Sequence, residues 1–196
     1  KKKIKIKIIV LNLIDIKKIL NYRDLNKKKI FQISYIISED HKYKNIKIFF
    51  DFLKKADIFN INLNVIVITN IKYEYLCKKY FHKFYFKNVN ILVRSAKKQT
   101  IVYSLLKQSK TFITTSTLES LSIPLIEASL LKIPIIAPDL NYVYEISTPI
   151  QTYIPKSHES LFRAYQNIST KKPILKNKFF KYSNSSEFLK KISKHL

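Results

Sequence analysis

Short apolar runs alternate along this chain with longer segments whose apolar residues recur every three or four positions. The short runs predict β-strands at residues 3–10, 30–37, 62–69, 89–93, 111–115 and 133–137, and near Tyr153. The longer segments predict helices at residues 45–56, 73–80, 101–106, 124–131, 140–146, 157–168 and 187–196. Apolar strands that alternate with helices are typical of a parallel sheet covered on both sides. The pattern therefore predicts an α/β fold, a Rossmann-like parallel sheet with helices on both faces.

Length and local composition predict how the chain is divided. With 196 residues it can bury the core of one α/β domain. Residues 21–29 are polar and predict a connection, so we expect residues 1–29 to form an N-terminal strand and connection and residues 30–196 to form the domain. The polar segment 169–187 predicts a surface crossover. The chain contains no Met, which indicates a trimmed sequence or a fragment of a longer product.

The chain is strongly basic, with 37 Lys and Arg against 13 Asp and Glu and a formal net charge of +24. Such a charge is typical of proteins that bind nucleic acid or an anionic membrane surface. Almost all of the basic residues are Lys, whereas nucleic-acid interfaces favour Arg. The abundant Lys, Ile, Asn, Tyr and Phe have AT-rich codons, so a biased genome would raise the charge without selection for binding. We therefore expect no nucleic-acid partner, and a basic nucleic-acid-binding module remains an alternative.

Cysteine, histidine and apolar-run content bear on the class of protein. Cys77 stands alone, so no disulfide framework is predicted and a reducing cytoplasm is the expected location. The longest apolar stretches are far shorter than a membrane span. The four histidines are His41, His82, His158 and His195, and no two of them have the spacing of metal ligands. No metal or other cofactor is therefore expected.

Other features have ordinary structural interpretations. The aromatic-rich segment 73–86 could stack on nucleic-acid bases, but its helical spacing favours core packing, with Cys77 on the same apolar face. Asp139, Tyr142 and Glu145 are predicted to belong to a capped helix, with Asp139 near its N-cap. Because the chain has no Gly, positions that need a positive φ must be filled by Asn, Asp, Lys or Ser.

Residues 111–146 have the arrangement that carries chemistry in open α/β sheets. A strand leads through a loop into a helix that opens with Pro124, and a second strand follows. Ligands bind beyond the carboxyl ends of such strands, near helix N-termini. The free N–H groups and positive dipole of the first helical turn attract phosphate. Ser122, Ile123 and Leu125 are the residues whose amides we expect to be presented there.

Two glutamates lie beside this predicted anion site. Glu119 precedes the helix, Glu127 is predicted in its first turn, and seven residues separate them. Carboxylates near an anion site suit a polyol ligand, since each can accept two hydrogen bonds from a ribose diol or from sugar hydroxyls. The alternative is that Glu127 only offsets the helix dipole and that Glu119 is a solvated loop charge.

These residues carry a resemblance to a known family. Residues 119–127 read ESLSIPLIE and residues 132–145 read KIPIIAPDLNYVYE. Together they resemble the donor-site signature of retaining GT-B glycosyltransferases of family 4, also called group 1. Residues 33–53 (ISYIISEDHKYKNIKIFFDFL) and 101–116 (IVYSLLKQSKTFITTS) resemble the upstream elements of that family's C-terminal, donor-binding domain. The resemblance covers roughly residues 30–168.

The resemblance implies a role for each matching residue. Glu127 would hold the nucleotide ribose, Glu119 would contact the donor sugar as the catalytic carboxylate, and Lys44 would neutralise the diphosphate. The amides of Ser122 and Ile123 would cradle phosphate or sugar. The implied reaction transfers a sugar from a nucleoside-diphosphate sugar, with retention and without a metal, to a glycan or lipid-linked acceptor in surface polysaccharide or lipopolysaccharide assembly.

The resemblance also implies parts of the enzyme that these residues do not supply. The acceptor-side groups belong to an N-terminal GT-B domain, and nothing in residues 1–29 matches it. The family has Gly where Ser122 stands, and Glu39 or His41 occupies the place of a second basic residue. A truncated, catalytically inactive remnant is therefore an alternative. The implied location is cytoplasmic, with the Lys-rich surface able to lie against the inner face of the plasma membrane.

Overall fold

A computed structural model describes residues 19, 22, 28–37, 42–119 and 121–170. The strands are β1 (Phe31–Ile37), β2 (Leu63–Thr69), β3 (Val89–Ser95), β4 (Ser109–Ile113), β5 (Ile135–Pro138) and β6 (Gln151–Tyr153). The α-helices are α1 (Ile46–Ile58), α2 (Ile71–Phe81), α3 (Gln99–Lys107), α4 (Ile123–Leu130), α5 (Asn141–Ile146) and α6 (His158–Thr170). A single 3₁₀ turn, Lys42–Lys44, precedes α1.

Each element predicted between residues 30 and 168 is present, with shifted ends in the stretch that carries the chemistry. Strand β4 begins two residues early and stops at Ile113, so Thr114 and Thr115 belong to the loop. Helix α4 begins at Ile123, which makes Pro124 its second residue. The predicted strand 3–10 and helix 187–196, and the predicted crossover beyond Thr170, lie outside the described residues.

The six strands form one sheet in the order β3-β2-β1-β4-β5-β6, and each neighbouring pair is parallel. This topology confirms the predicted fold class. The chain runs outward from β1 to β2 and β3, then crosses back to β4 on the other side of β1. The carboxyl ends of β1 and β4 therefore flank the point where the strand order reverses, which is where open α/β sheets bind ligands.

Apolar side chains form one core on each side of the sheet. Helices α1, α2 and α6 cover one side, where the ring of Phe49 stacks on that of Tyr35 with centroids 3.9 Å apart. Helices α3, α4 and α5 cover the other side. Ile19 is buried in this second core and Tyr22 packs against Tyr103. Ile19 and Tyr22 thus contact the domain, while the predicted division at residues 29 and 30 stays a prediction.

Asn and Lys occupy positions of positive φ, which Gly would otherwise favour, as the composition predicts. Among the described residues, positive φ angles occur at Asn45, Asn60, Lys132 and Lys156. Asn60 and Lys132 follow the ends of α1 and α4, where backbone N–H groups turn back to the last helical carbonyls. Lys132 has a φ of 58°, a conformation that brings its Cβ close to the following carbonyl oxygen and destabilises the fold.

We expect Lys132→Gly to stabilise the fold by about 0.5–1 kcal/mol, because Gly adopts the left-handed conformation without a Cβ clash. The free energy of unfolding from urea denaturation measures this gain. Lys79→Gly inside α2 is the matched control and should cost about 1 kcal/mol. A loss of stability in Lys132→Gly would show that its backbone is not strained.

Two local expectations need correction. In the segment 73–86, Cys77 and Phe81 are buried as core packing predicts, but Tyr75, Tyr85 and Phe84 are exposed. Core packing therefore explains only part of this segment, and Phe84 and Tyr85 lie beyond the end of α2. Asp139 lies next to the N-cap of α5, as predicted, but the predicted cap is absent. The N-cap residue is Leu140, which makes no side-chain cap, and the Asp139 carboxylate accepts a hydrogen bond of 2.5 Å from Tyr144 Oη.

No helix among the described residues is both long and apolar enough to cross a membrane. No group of three or more His, Cys, Asp or Glu side chains in this part of the chain could hold a metal ion.

Candidate functional site

A cavity of about 680 Å³ opens at the strand-order reversal. The ends of β1 and β2, the 3₁₀ turn, the first residues of α3 and the start of α4 surround it. Its polar lining consists of Tyr43, Lys44, Thr69, Asn70, Gln99, Glu119 and Glu127. The rest of the lining is mainly aliphatic, so charged groups inside it are poorly solvated and act strongly on one another.

Lys44 and Glu119 form an ion pair in the wall of this cavity, although they lie 75 positions apart in sequence. Lys44 Nζ donates to Glu119 Oε1 at 2.8 Å, and each side chain is 12% exposed. Glu119 is therefore an ion-paired, largely buried group, which excludes its interpretation as a solvated loop charge. The pair therefore places a cation in the cavity, close to the N-terminus of α4.

The loop after β4 fastens the turn that carries Lys44. Thr115 Oγ1 donates to the carbonyl oxygen of Lys44 at 2.7 Å. The amide of Thr117 donates to the carbonyl oxygen of Tyr43, also at 2.7 Å. The same loop is also held by α5, since Tyr142 Oη donates to the carbonyl oxygen of Ser116 at 2.7 Å. These bonds set the position of the Lys44 backbone relative to Glu119.

Tyr35, on β1, joins this network from the core. Its hydroxyl lies 2.6 Å from Thr115 Oγ1 and 3.4 Å from the carbonyl oxygen of Lys44. The side chain is buried, and burial raises the pKa of the Tyr35 hydroxyl far above its ordinary value, so it remains protonated and can donate. The core therefore supports the turn directly.

We expect Tyr35→Phe to lower the free energy of unfolding by about 1 kcal/mol, because Thr115 Oγ1 loses a buried partner. Urea denaturation measures the change. Tyr75→Phe, which alters an exposed hydroxyl on α2, serves as the control and should change stability little. Equal stabilities for the Tyr35 variant and the parent would contradict a structural role for this hydroxyl.

Glu127 reaches the cavity from the second turn of α4. It is the fifth residue of the helix, not part of the first turn as the sequence suggested. Its side chain is buried, and Gln99 Nε2 donates to its Oε1. Burial raises the pKa of the Glu127 carboxyl from 4.5 to about 7, while the Gln99 hydrogen bond acts in the opposite direction. A buried carboxyl one turn inside the helix is not there to offset the helix dipole.

The start of α4 offers fewer free amides than predicted. The amide of Leu125 already donates to the carbonyl oxygen of Ser122 at 3.0 Å, and the Leu125 side chain is fully buried. The expectation that Leu125 presents a free amide is therefore wrong. The amides of Ser122 and Ile123 precede the first intrahelical donor, so helix geometry assigns them no acceptor within α4. Ser122 has φ −70° and ψ 85°, a conformation that does not require Gly.

The structure thus brings most of the predicted residues together. Lys44, Glu119, Ile123 and Glu127 line one cavity. Ser122, the N-cap of α4, is buried and does not line it. Glu39 and His41 lie outside the described residues.

Sequence reasoning missed four supporting residues of this site, namely Tyr35, Gln99, Thr115 and Thr117. Each has a hydrogen-bond partner at least 28 positions away in sequence. The polar run TTST at 114–117 directly after an apolar strand was the only local signal.

The arrangement suits a ligand that carries both phosphate and hydroxyl groups. Lys44 and the leading amides of α4 are donors for a phosphate. The two carboxyl groups are acceptors for hydroxyl groups. The aliphatic lining around them excludes water from apolar parts of a ligand.

The structures of several similar proteins are known, and their sequences are 14–15% identical to this chain. At this level of identity the similarity shows the fold alone. The C-terminal domain of a glycosyl transferase group 1 family protein (LpcC) from Francisella tularensis is 15% identical, with a TM-score of 0.58 and 92% of each chain covered. An S. aureus TarM mutant in complex with Fondaparinux, alpha-GlcNAc-glycerol and UDP is 15% identical, with a TM-score of 0.55; the match covers 96% of this chain and 38% of that one.

The pneumococcal O-GlcNAc transferase GtfA, in complex with UDP and GlcNAc, is also 15% identical, with a TM-score of 0.51. The match covers 86% of this chain and 33% of GtfA. This chain thus spans about a third of TarM and GtfA, but nearly all of the LpcC domain. No curated protein sequence matches it.

A family match in sequence decides the assignment. The family described as Glycosyl transferases group 1 matches residues 18–185, most of the chain. The matched region contains the whole cavity, including the two glutamates and Lys44. Sheet order, helix placement and solved structures agree with a GT-B C-terminal domain. The chain therefore belongs to the glycosyl transferases group 1 family, with the fold of a GT-B C-terminal domain.

Proposed function

We propose that this chain is the donor-binding part of a retaining glycosyltransferase and that its cavity binds a nucleoside-diphosphate sugar. The observation that carries the proposal is the meeting of Lys44, Glu119 and Glu127 in one cavity at the strand-order reversal. Lys44 comes from the turn after β1, and both glutamates come from the stretch that follows β4, so no single helix or loop accounts for their proximity. A cation and two acids in one cavity match a ligand with a diphosphate, a ribose and a sugar.

In this proposal each residue has one role. Glu127 accepts hydrogen bonds from the ribose diol, and Glu119 acts as the catalytic carboxylate that contacts hydroxyl groups of the donor sugar. Lys44 and the amides of Ser122 and Ile123 bind the diphosphate. Because Lys44 is paired with Glu119 at 2.8 Å before a donor binds, the incoming diphosphate competes for the ammonium group and leaves Glu119 free to accept from the sugar.

The reaction we propose breaks the bond between the anomeric carbon and the diphosphate oxygen. A bond to the acceptor hydroxyl oxygen forms on the same face of the sugar, and the hydroxyl proton leaves with the diphosphate. Negative charge grows on the leaving diphosphate as the bond breaks. The preorganised Lys44 ammonium and the N-terminus of α4 would stabilise this charge without a metal ion.

The relatives suggest the nucleotide to test first. TarM and GtfA are each described with bound UDP, together with alpha-GlcNAc-glycerol or GlcNAc. We therefore propose a UDP-sugar as the donor class. For the cavity, the relevant features of UDP are its ribose diol and its diphosphate, since these match the carboxyl of Glu127 and the ammonium of Lys44.

We further propose that the residues that bind the acceptor come from an N-terminal GT-B domain, because this chain spans about a third of TarM and GtfA. The acceptor would be a glycan or a lipid-linked sugar used in surface polysaccharide or lipopolysaccharide assembly. The expected location is the cytoplasm, peripheral to the inner face of the plasma membrane.

The test is UDP binding measured by isothermal titration calorimetry at pH 8, where the Glu127 carboxyl is ionised. We expect the chain to bind UDP, and we expect Glu127→Ala to weaken binding about tenfold or more, because the ribose loses a charged acceptor. Glu145→Ala, at an exposed position on α5, is the control and should leave binding unchanged. Absence of UDP binding would refute the donor site and favour an inactive remnant.

A further inference from the structure

A second cavity opens between α2 and the start of α1. Its volume is about 550 Å³, which is within the range of small-molecule sites in proteins. The side chains that line it come from the end of β1, the 3₁₀ turn, the start of α1, and α2 with the residues just after it. Because several separate segments meet there, the cavity is a feature of the fold and not of a single loop.

Apolar side chains form the interior of this cavity. Cys77 and Phe81, on the inward side of α2, are buried and line it. The ring of Tyr80 lines it as well, and its centroid lies 5.3 Å from the ring centroids of both Phe50 and Phe81. Leu76 extends the apolar wall toward solvent. Since the packed rings hold this wall in place, it can cover an apolar part of a ligand without rearranging.

The charges around the second cavity have one sign. Four exposed lysines line it, namely Lys42, Lys47, Lys79 and Lys83, and none of the described residues in its lining is acidic. Lys47 donates to Asp51 Oδ2 at 2.5 Å, which offsets one of the four charges. An excess of positive charge around one cavity attracts an anion. The complementary ligand therefore carries two or more negative charges.

Asn45 adds an unsatisfied donor to the same lining. It is the N-cap residue of α1, but its side chain makes no cap hydrogen bond. Among the described residues, Asn45 Nδ2 is one of two buried side-chain polar atoms without a hydrogen-bond partner. A buried N–H without an acceptor destabilises the fold. An oxygen of an anionic ligand beside Asn45 would supply the missing acceptor.

From these features we infer that the second cavity binds a small, water-soluble phosphate ester, with its phosphate among the lysines and its organic part against Tyr80 and Leu76. A phosphate monoester carries close to two negative charges above pH 7. Its oxygens can accept hydrogen bonds from several ammonium groups at once. A carboxylate carries a single charge and would leave more of the positive charge uncompensated.

This site is distinct from the donor site, although the two are close together. The 3₁₀ turn lies between the cavities: Lys42 and Asn45 line the second cavity, whereas Tyr43 and Lys44 line the larger one. Both glutamates of the donor site line only the larger cavity. The inference therefore does not depend on the proposed function, and a phosphate ester can bind whether or not the larger cavity accepts UDP.

The test is isothermal titration calorimetry with phenyl phosphate at pH 8 and low ionic strength. We expect the parent and Lys44→Ala to bind it with a Kd of about 1 mM or tighter, and within about twofold of each other. Inorganic phosphate lacks the ring and phenol lacks the charge, so each should bind about tenfold more weakly. Lys79→Gln/Lys83→Gln should weaken phenyl phosphate binding about tenfold or more, and Leu76→Ser about threefold.

Matched controls alter exposed side chains of the same segment that do not line the cavity. Lys72→Gln/Lys87→Gln removes two charges, and Tyr75→Ser removes an exposed side chain of α2. Neither control should change the affinity for phenyl phosphate more than about twofold. All variants should unfold cooperatively in urea, which shows that they fold.

Three outcomes would overturn the inference. Equal losses of affinity in the test and control lysine variants would reduce the effect to net charge. A loss in Lys44→Ala without a loss in Lys79→Gln/Lys83→Gln would place the phosphate in the donor cavity. Failure to bind phenyl phosphate would also overturn it, whether the chain then bound phosphatidylglycerol vesicles, a single-stranded oligonucleotide or neither.

Discussion

Replacing Glu127 with Gln is expected to stabilise the folded chain at pH 8 by up to about 3 kcal/mol. The carboxyl is buried in α4, and burial raises its pKa from 4.5 to about 7. At pH 8 the folded chain must hold a buried negative charge, whereas the unfolded chain holds the same charge in water. The rise in pKa corresponds to about 3 kcal/mol. Gln has nearly the same shape, carries no charge and can still accept the hydrogen bond from Gln99.

The sign of the pH dependence follows from proton binding. Between pH 4.5 and about 7 the folded chain retains the Glu127 proton more strongly than the unfolded chain. The contribution of Glu127 to stability is therefore complete below pH 4.5 and is lost as the pH rises to about 7. Above pH 7 it stays constant. Glu127→Gln should remove this dependence, so the gain over the parent should be large at pH 8 and small at pH 4.5.

Urea denaturation at several pH values between 4.5 and 8 measures the effect. Glu145→Gln, an exposed carboxyl on α5, is the matched control and should give a small change that is the same at both ends of the range. If Glu127→Gln were no more stable than the parent at pH 8, the carboxyl would not be destabilised by burial. The Glu127 carboxyl would then cost the fold no stability, and its presence in the core would not need a ligand to explain it.

The second large effect concerns donor affinity. We expect Lys44→Ala to weaken UDP binding about 100-fold or more. The diphosphate loses its only identified cationic partner among the described residues that line the cavity. In addition, Glu119 loses the ammonium group that lies 2.8 Å from it, so an unpaired carboxylate faces the incoming phosphates. Truncating one member of a buried charge pair costs about 2–5 kcal/mol, partly because of the charge left behind.

The double variant Lys44→Ala/Glu119→Gln separates these two causes. Removing the charge of Glu119 abolishes the repulsion, so the double variant should bind UDP about tenfold more tightly than Lys44→Ala, though still less tightly than the parent. Lys47→Ala, which removes an exposed lysine three positions away that pairs with Asp51, is the control. Isothermal titration calorimetry measures all four. Equal affinities for Lys44→Ala and Lys47→Ala would place the diphosphate elsewhere.

The structure answers several questions that composition alone left open. The net charge of +24 suggested partners that carry phosphate, and genome bias explained it equally well. Within the described residues, Lys44 is the lysine that lines the larger cavity. Lys72 and Lys79, by contrast, lie exposed on α2, as does Tyr75. Their position relative to other side chains therefore gives individual lysines a meaning that the total charge does not have.

The sequence by itself determined the order of strands and helices, because apolar periodicity is a local property of the chain. It also determined the site's neighbourhood: the strand, the loop and the Pro-opened helix that carry Glu119, Ser122 and Glu127 are consecutive in sequence. The absence of Gly also determined that other residue types, Asn and Lys among them, must fill the positive-φ positions, but not which residues these would be.

Only the tertiary structure decided which distant residues meet. The pairing of Lys44 with Glu119, the hydrogen bond between Tyr35 and Thr115 and the contact of Gln99 with Glu127 each join segments that are far apart in sequence. Likewise, the occupied amide of Leu125 and the exposed side of α2 depend on where each helix begins and which side the sheet covers. These features follow from strand order and packing, and no local pattern of residue types encodes the distance between segments that are far apart in sequence.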